Sequence, residues 1–340
     1  MKVIASAPEG LERYLAEEIQ YLGGFRIHSY KRSVTFECDI ATFYRIHFFS
    51  RVAFRFYREI ARFSCPDKQS LYEGVRDSFS WLEWIPSDKT FNVQVTGRNS
   101  ILNHSHFTAL EVKNSITDLQ KSVWNKRSSI SIDNPDLIIH LHLNNDQAII
   151  SLQSCFESLH KRGYRPAIGN APLKENLASG LLKVTKWDGN IPLIDIMCGS
   201  GTFLIEAVNQ TLNLPLKFKK LYLFENWIDF NKDIYLYEKN KARATINFHK
   251  EIPKIIGCEI DNFVFEQAKK NISLAGLENY IDLINDDFTK FKSNSSSGII
   301  LCNPPYGKKL GNELELIDLY EKIGNFLKQK FSGWEFWLLS

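Results

Sequence analysis

Between residues 191 and 339, five short apolar runs alternate with helical patterns, and this alternation constrains the fold more than any other feature. The runs cover residues 191–197, 254–259, 280–284, 298–302 and 335–339. Residues 202–210, 232–247, 263–275 and 313–329 carry apolar side chains at helical spacing. Strand and helix in turn at this spacing predict an α/β doubly wound, Rossmann-like parallel sheet. Ligands of such sheets lie at the carboxyl ends of the strands, so the loops after each strand are where chemistry is expected.

The first half has a different pattern. Residues 11–22 predict a helix that follows the Pro8-Glu9-Gly10 turn and stops at Gly23-Gly24. Residues 33–37, 52–60, 91–96, 137–143 and 148–153 alternate or run apolar as strands, and residues 108–124 read as a helix. That order suggests an α+β half with antiparallel sheets. A chain of 340 residues holds about two domains at roughly 150 residues each. With 44% hydrophobic residues it can build cores for both. The Ser293–Ser297 run reads as a loop, and no internal repeat is found.

Several function classes are excluded at this stage. Lys and Arg number 42 against 39 Asp and Glu, and a net charge of +3 does not by itself indicate nucleic acid. The six cysteines (Cys38, Cys65, Cys155, Cys198, Cys258 and Cys302) form no C-x-x-C pair. Free thiols in a reducing, cytoplasmic setting fit better than disulfides or zinc. His104 and His106 lack a third ligand at metal spacing, so no metal is expected. Pro8 and Glu9 interrupt what would be the apolar core of a signal peptide, and no window reaches 18 apolar residues, so secretion and membrane spanning are not expected.

The loop after the first parallel strand reads Asp195-Ile-Met-Cys198-Gly199-Ser-Gly201-Thr202 and leads directly into a helix. Its glycines let backbone approach a ligand, and the helix start offers free N–H groups. It is not a dinucleotide fingerprint: Leu204 occupies the third glycine position, and Glu259 lies 58 residues after Gly201 against an expected ~20. Residues 212–230 read as an insertion. Glu259 ends the second strand, where a carboxylate can accept both ribose hydroxyls. Asp287 follows the third, where a carboxylate can accept from an exocyclic amine. Taken singly, these features also fit a tight turn, a solvated acid and a cap. Together they place three acids after three successive strands, which favours one ligand with ribose, adenine and a charged tail.

After the fourth strand comes Cys302-Asn303-Pro304-Pro305-Tyr306-Gly307. The two prolines fix φ and remove two backbone donors. The side-chain carbonyl of Asn303 and the backbone carbonyl of Pro304 can then accept from one planar amino group, and Tyr306 offers a stacking face. A rigid surface turn is the alternative for the same residues.

The glycine loop followed by Asn303-Pro-Pro-Tyr306 resembles class I S-adenosylmethionine-dependent amino-methyltransferases of nucleic acid. His160-Lys-Arg-Gly-Tyr-Arg165, Ala171-Pro-Leu-Lys-Glu-Asn176 and Phe224-Glu-Asn-Trp227 extend the likeness to THUMP-containing RNA guanine-N2 methyltransferases of the RlmL type, which act on bacterial 23S rRNA. The likeness covers nearly the whole chain. It implies a ferredoxin-like module at 1–60, a THUMP RNA-binding domain at 61–155 and a methyltransferase domain at 156–340. In the family a final antiparallel strand pair is usual, whereas this sequence stops after its fifth strand. The resemblance implies that Asp195, Cys198, Gly199, Gly201, Thr202 and Asn303 line S-adenosylmethionine, with Glu259 on its ribose and Asp287 on its adenine. Asn303, Pro304, Pro305 and Tyr306 would form the catalytic loop around the target base.

Five arginines crowd residues 45–62 with Glu59 as the one acid, and Arg51 and Arg55 share the face opposite Val52, Phe54 and Phe56. Arg51, Arg55, Lys161, Arg162 and Arg165 are the expected RNA contacts, although a solvated strand face explains the first two equally. The leading expectation is N2-methylation of a guanine in 23S rRNA. The alternatives are a tRNA guanine-N2 methyltransferase, a DNA adenine-N6 methyltransferase, or a non-catalytic RNA-binding assembly factor.

Overall fold

A computed structural model describes residues 1–165, 173–216, 222–247, 250–305 and 313–339, except the side chain of residue 313. The chain forms two units: Met1–Leu159 with Phe218–Asn240, and His160–Lys217 with Lys241–Ser340.

In the first unit the elements run β1 (Lys2–Ser6), α1 (Glu12–Tyr21), β2 (Phe25–Tyr30), β3 (Ser33–Glu37), α2 (Ile40–Phe49) and β4 (Arg55–Ser64). They continue with α3 (Lys68–Asp77), α4 (Trp81–Trp84), β5 (Thr90–Arg98), α5 (Ser105–Trp124), β6 (Ser129–Ile130), β7 (Leu137–Asn144) and β8 (Gln147–Gln153). All eight strands join one sheet in the order β2-β3-β1-β4-β8-β7-β5-β6. The ten-residue β4 makes this possible, because it pairs with β1 at one edge and with β8 at the other. The sheet is mixed and not purely antiparallel as expected: β5 runs parallel to β7 and β6. The cause is α5, a 20-residue crossover between β5 and the strands that follow.

The second unit holds α6 (Glu175–Val184), β9 (Leu193–Asp195), α7 (Thr202–Thr211), the end of α8 (Lys232–Ala244), β10 (Ile255–Cys258), α9 (Asn262–Ala275), β11 (Ile281–Ile284), β12 (Ile299–Cys302), α10 (Glu313–Lys330) and β13 (Glu335–Leu338). Its strand order is β11-β10-β9-β12-β13, parallel throughout. Apolar strand residues feed two cores. Leu193, Ile255 and Leu301 pack with Leu182, Phe203 and Val208, while Ile194 and Ile300 pack with Phe326 and Phe331. Both faces are therefore buried, which explains the continuous apolar runs of these strands. Gly257 is required where β10 passes α7, since a Cβ there would meet Leu204 Cδ1 at 2.4 Å.

One segment departs from the expected boundaries. Residues 222–240 follow α7 in sequence but pack with the N-terminal unit. Phe224 lies 5.1 Å from the Tyr44 ring and Trp227 stacks on Phe43 at 5.7 Å. Glu238, 3% exposed, holds Arg45 through two bonds of 2.8 Å. Asp229 pairs with Arg58, whose guanidinium sits 5.2 Å from the Trp84 ring and 5.6 Å from that of Trp227.

Candidate functional site

β9 delivers Asp195 to the carboxyl edge of the parallel sheet with 2% exposure. Burial pushes its carboxyl up to about 7, with nearby Glu259 adding to the rise, while the Met197 N–H donates to Oδ1 at 3.2 Å and opposes it. The chain then turns through Cys198–Thr202. The Cys198 N–H donates to the Cys258 carbonyl (2.9 Å), tying the turn to the end of β10, and the Gly201 N–H donates to the Cys198 carbonyl (2.9 Å). Gly199 and Gly201 have φ of +52° and +77°. A Cβ on Gly199 would meet nothing within 4 Å, so its glycine serves the left-handed backbone and open space lies beside it.

Glu259, just past β10, bridges two loops. Its Oε2 accepts the Gly199 N–H (3.0 Å) and its Oε1 accepts the Asp261 N–H (2.9 Å). Its backbone carbonyl accepts Asn285 Nδ2 (2.9 Å), and its N–H donates to the Ile284 carbonyl (3.0 Å), which joins the third loop to the second. In that third loop Asp287 Oδ1 caps the turn at Thr289 through its N–H (2.9 Å) and hydroxyl (2.8 Å). The ends of three adjacent strands thus carry Asp195, Glu259 and Asp287 on loops bonded to one another.

The fourth loop leaves β12, the neighbour of β9 on its other side. Asn303 follows the buried Cys302. Asn303 Oδ1 is shielded from water and has no hydrogen-bond partner among the described residues. Leaving a buried acceptor unmade costs about 1–3 kcal/mol, which an incoming donor would recover. Pro304 is buried and Pro305 half-buried. Tyr306 and Gly307 lie outside the described residues, as do Ala171 and Pro172. Burial pushes the Cys302 and Cys198 thiols upward, so neither is a ready thiolate.

The raised Asp195 carboxyl gives a first prediction. The folded chain keeps this proton up to about pH 7, whereas the unfolded chain releases it near 3.8. Ionisation therefore removes stability as pH rises between those values, and the deficit is constant above them. Asp195→Asn keeps the bond from Met197 and abolishes the deficit. Its unfolding midpoint should exceed that of the parent by several degrees at pH 8 and match it at pH 4, as read by scanning calorimetry. An equal gap at both pH values would remove the titration argument.

Residues 162–340 match the family described as "RMKL-like, methyltransferase domain", residues 66–153 the THUMP domain, and residues 2–57 the RlmL ferredoxin-like domain. A Synechocystis protein named a putative RNA methyltransferase is 39% identical over 337 residues, covering 99% of this chain and 87% of that one. The chain belongs to the RMKL-like methyltransferase family. The ribosomal RNA large subunit methyltransferase K/L of Vibrio parahaemolyticus is 36% identical over 335 residues, 97% of this chain and 47% of that protein. The chain thus spans about half the length of that relative. A solved putative methyltransferase in complex with SAH superposes with a TM-score of 0.87 at 26% identity, over 99% of this chain and 88% of that one.

In this RMKL-like methyltransferase several of the expected RNA contacts are buried or engaged within their own unit. Arg51 is 5% exposed and precedes β4, and its backbone N–H donates to the Glu18 carboxylate. Arg162 is 4% exposed and pairs with Glu206 at 3.6 Å. Arg165 donates to Thr202 Oγ1 (3.1 Å) and the Leu173 carbonyl (3.0 Å) and pairs with Glu175 (3.3 Å). It thereby braces the first turn of α7. Lys161 is exposed and Arg55 half-buried. Sequence reasoning missed Ile260 and Phe263, 66% and 70% exposed beside Glu259. Their signal was two large apolar residues flanking Asp261, the acid that caps α9. Among the described residues no group of His, Cys, Asp or Glu could hold a metal, and no helix is long and apolar enough to cross a membrane.

Proposed function

We propose that the chain transfers a methyl group from S-adenosylmethionine to the N2 amino group of a guanine in large-subunit rRNA. The observation that carries this reading is the buried Asn303 Oδ1, without a partner among the described residues, on the same sheet edge as the glycine loop and Glu259. An acceptor held without water in that position suits a donor such as an exocyclic amine. The names of the relatives support methylation of rRNA, and the SAH complex supports the cofactor.

The donor set fits S-adenosylmethionine. The open space beside Gly199 leaves room for it, Glu259 would accept its ribose hydroxyls, Asp287 would accept from its adenine, and the exposed Ile260 would give the base an apolar wall. Asp195, Cys198, Gly201 and Thr202 shape the loop against the amino-acid tail. When bound, the cofactor supplies a methyl group on a positively charged sulfur. Asn303 Oδ1 and the Pro304 carbonyl orient the target amino group and favour positive charge building on its nitrogen. The prolines keep both acceptors fixed, so little reorganisation is needed as that charge develops.

Glu259→Ala should weaken cofactor binding by about 100-fold or more, because two charge-assisted hydrogen bonds to the ribose contribute about 1.5–3 kcal/mol each. Titration calorimetry measures it, and unchanged affinity would refute the ribose assignment. The activity itself is tested by labelled methyl transfer to total RNA lacking this modification, with the product nucleoside mapped. N2-methylguanosine in rRNA is expected; methylated tRNA, methylated adenine, or no product would each overturn the proposal.

A further inference from the structure

The eight-stranded sheet buries Val3, Ala5, Val34, Phe36 and Phe56 on one face. The alternate positions of the same strands line a cleft of about 1160 Å3. Its rim is cationic: Lys2, Arg26, Lys31, Arg32 and Arg62 line it, with Glu37 as its one carboxylate. Four of these cations have acidic partners, Lys2 and Arg62 sharing Glu59, Arg26 on Glu37 and Lys31 on Glu9. Even so, five cations against three carboxylates leave an excess of two, and the exposed Arg26–Glu37 and Lys31–Glu9 pairs exchange readily for phosphate.

The floor is built for flat groups. Tyr30 is 58% exposed on β2, near the exposed His28. The Tyr57 ring lies 4.4 Å from that of His140 at 32°. Thr96 Oγ1 sits between His140 Nε2 (3.1 Å) and His142 Nδ1 (3.0 Å), fixing both imidazoles. Burial pulls His140 down to about 4, so the floor is uncharged at neutral pH while the rim is positive. Arg55 stands opposite Ser6, a lining residue, and so shares this face. Its Nε is shielded and has no hydrogen-bond partner among the described residues.

We propose that this open sheet face docks an unpaired stretch of the RNA substrate. The phosphates would lie against Lys31, Arg32 and Arg62, and the bases against Tyr30, His28 and the Tyr57–His140 floor. The proposal rests on the reading of RNA as substrate given above. It deepens that reading by assigning the contact to the sheet face that carries Arg55 and Arg62 of the arginine run, and not to Arg51. A duplex would use the cations but hide its base faces, leaving the aromatic floor unmatched.

The test uses the full chain and fluorescence anisotropy, with a labelled unpaired 12-nucleotide RNA and a fully paired hairpin, at two salt concentrations. The variants are the double reversal Lys31→Glu with Arg32→Glu, and Tyr30→Ala. All three side chains are exposed, and an unchanged calorimetric unfolding profile verifies that each variant is folded. The double reversal should weaken binding of the unpaired RNA at least ten-fold and flatten its log–log salt slope by about 1.4, roughly 0.7 per lost phosphate contact. Tyr30→Ala should weaken it about five-fold or more with an unchanged slope. If the parent binds the unpaired strand and both variants bind it equally well, the docking site is wrong while the RNA substrate stands. Equal binding of hairpin and unpaired strand would overturn the single-strand assignment. A parent that binds neither RNA would overturn the substrate reading and the docking site together.

Discussion

Asn303→Ala should lower methyl transfer by about 10²–10³-fold while leaving cofactor affinity within a few-fold of the parent, because loss of one preorganised polar group at a reacting centre has effects of that size. The structure gives the reason for the split. Asn303 Oδ1 is buried with no bond to the glycine loop or to Glu259, so its removal leaves the cofactor cradle as it is. What disappears is an acceptor that strengthens as positive charge grows on the attacking nitrogen. Single-turnover rates at saturating cofactor measure the chemical step, and calorimetry measures binding. A variant that turns over at the parental rate would remove the amino-group mechanism. One that loses both equally would make Asn303 part of the cofactor site.

The second large effect concerns stability and falls at a position that the sequence assigns to the methyltransferase half. Phe224→Ala should destabilise the N-terminal unit by about 3–5 kcal/mol, the usual cost of deleting a buried phenyl ring. Phe224 is 1% exposed and packs on Tyr44, Phe43 and His47 at ring distances of 5.1, 5.6 and 4.9 Å. Hydrogen exchange should show faster opening of α2 and β8, with little change in β9, β10 and β12. The reverse pattern would mean that the insert does not belong to the first unit. By the same argument, a fragment beginning near residue 156 is not a clean methyltransferase domain: it carries Phe224, Trp227 and Tyr235 without the surface they cover. Removing the N-terminal half must therefore also remove residues 222–240.

The catalytic half was more legible than the RNA-facing half, for physical reasons. The runs that became β10 and β12 are buried on both faces, and those of β11 and β13 are bounded by helices, so apolar continuity identified each to within two residues or so. The loops after them could be read because their residue types serve a backbone or a ligand and not a core. In the first half α2 was missed. Its sequence, IATFYRIHFF, is buried nearly all round and shows no polar stripe. The readable signal was Asp39, which caps it by accepting the Thr42 N–H at 2.7 Å. β1 was overlooked although Lys2–Ser6 alternates inward and outward, and β4 begins at Arg55 and not near Val52. That shift is why Arg51 was assigned to a strand face when its backbone is held by Glu18. The placement of residues 222–240 could not be read at all, because aromatic residues declare burial but not the partner.

That placement has a consequence for the order in which the protein is made. Residues 1–159 leave the ribosome before the segment that completes their aromatic core has been synthesised. At 5–20 residues per second the gap is on the order of ten seconds. During that interval Phe43, Tyr44 and Phe48 on α2 lack Phe224, Trp227 and Tyr235. The nascent N-terminal unit then leaves those rings uncovered, and slow or paused translation between residues 160 and 240 lengthens their exposure.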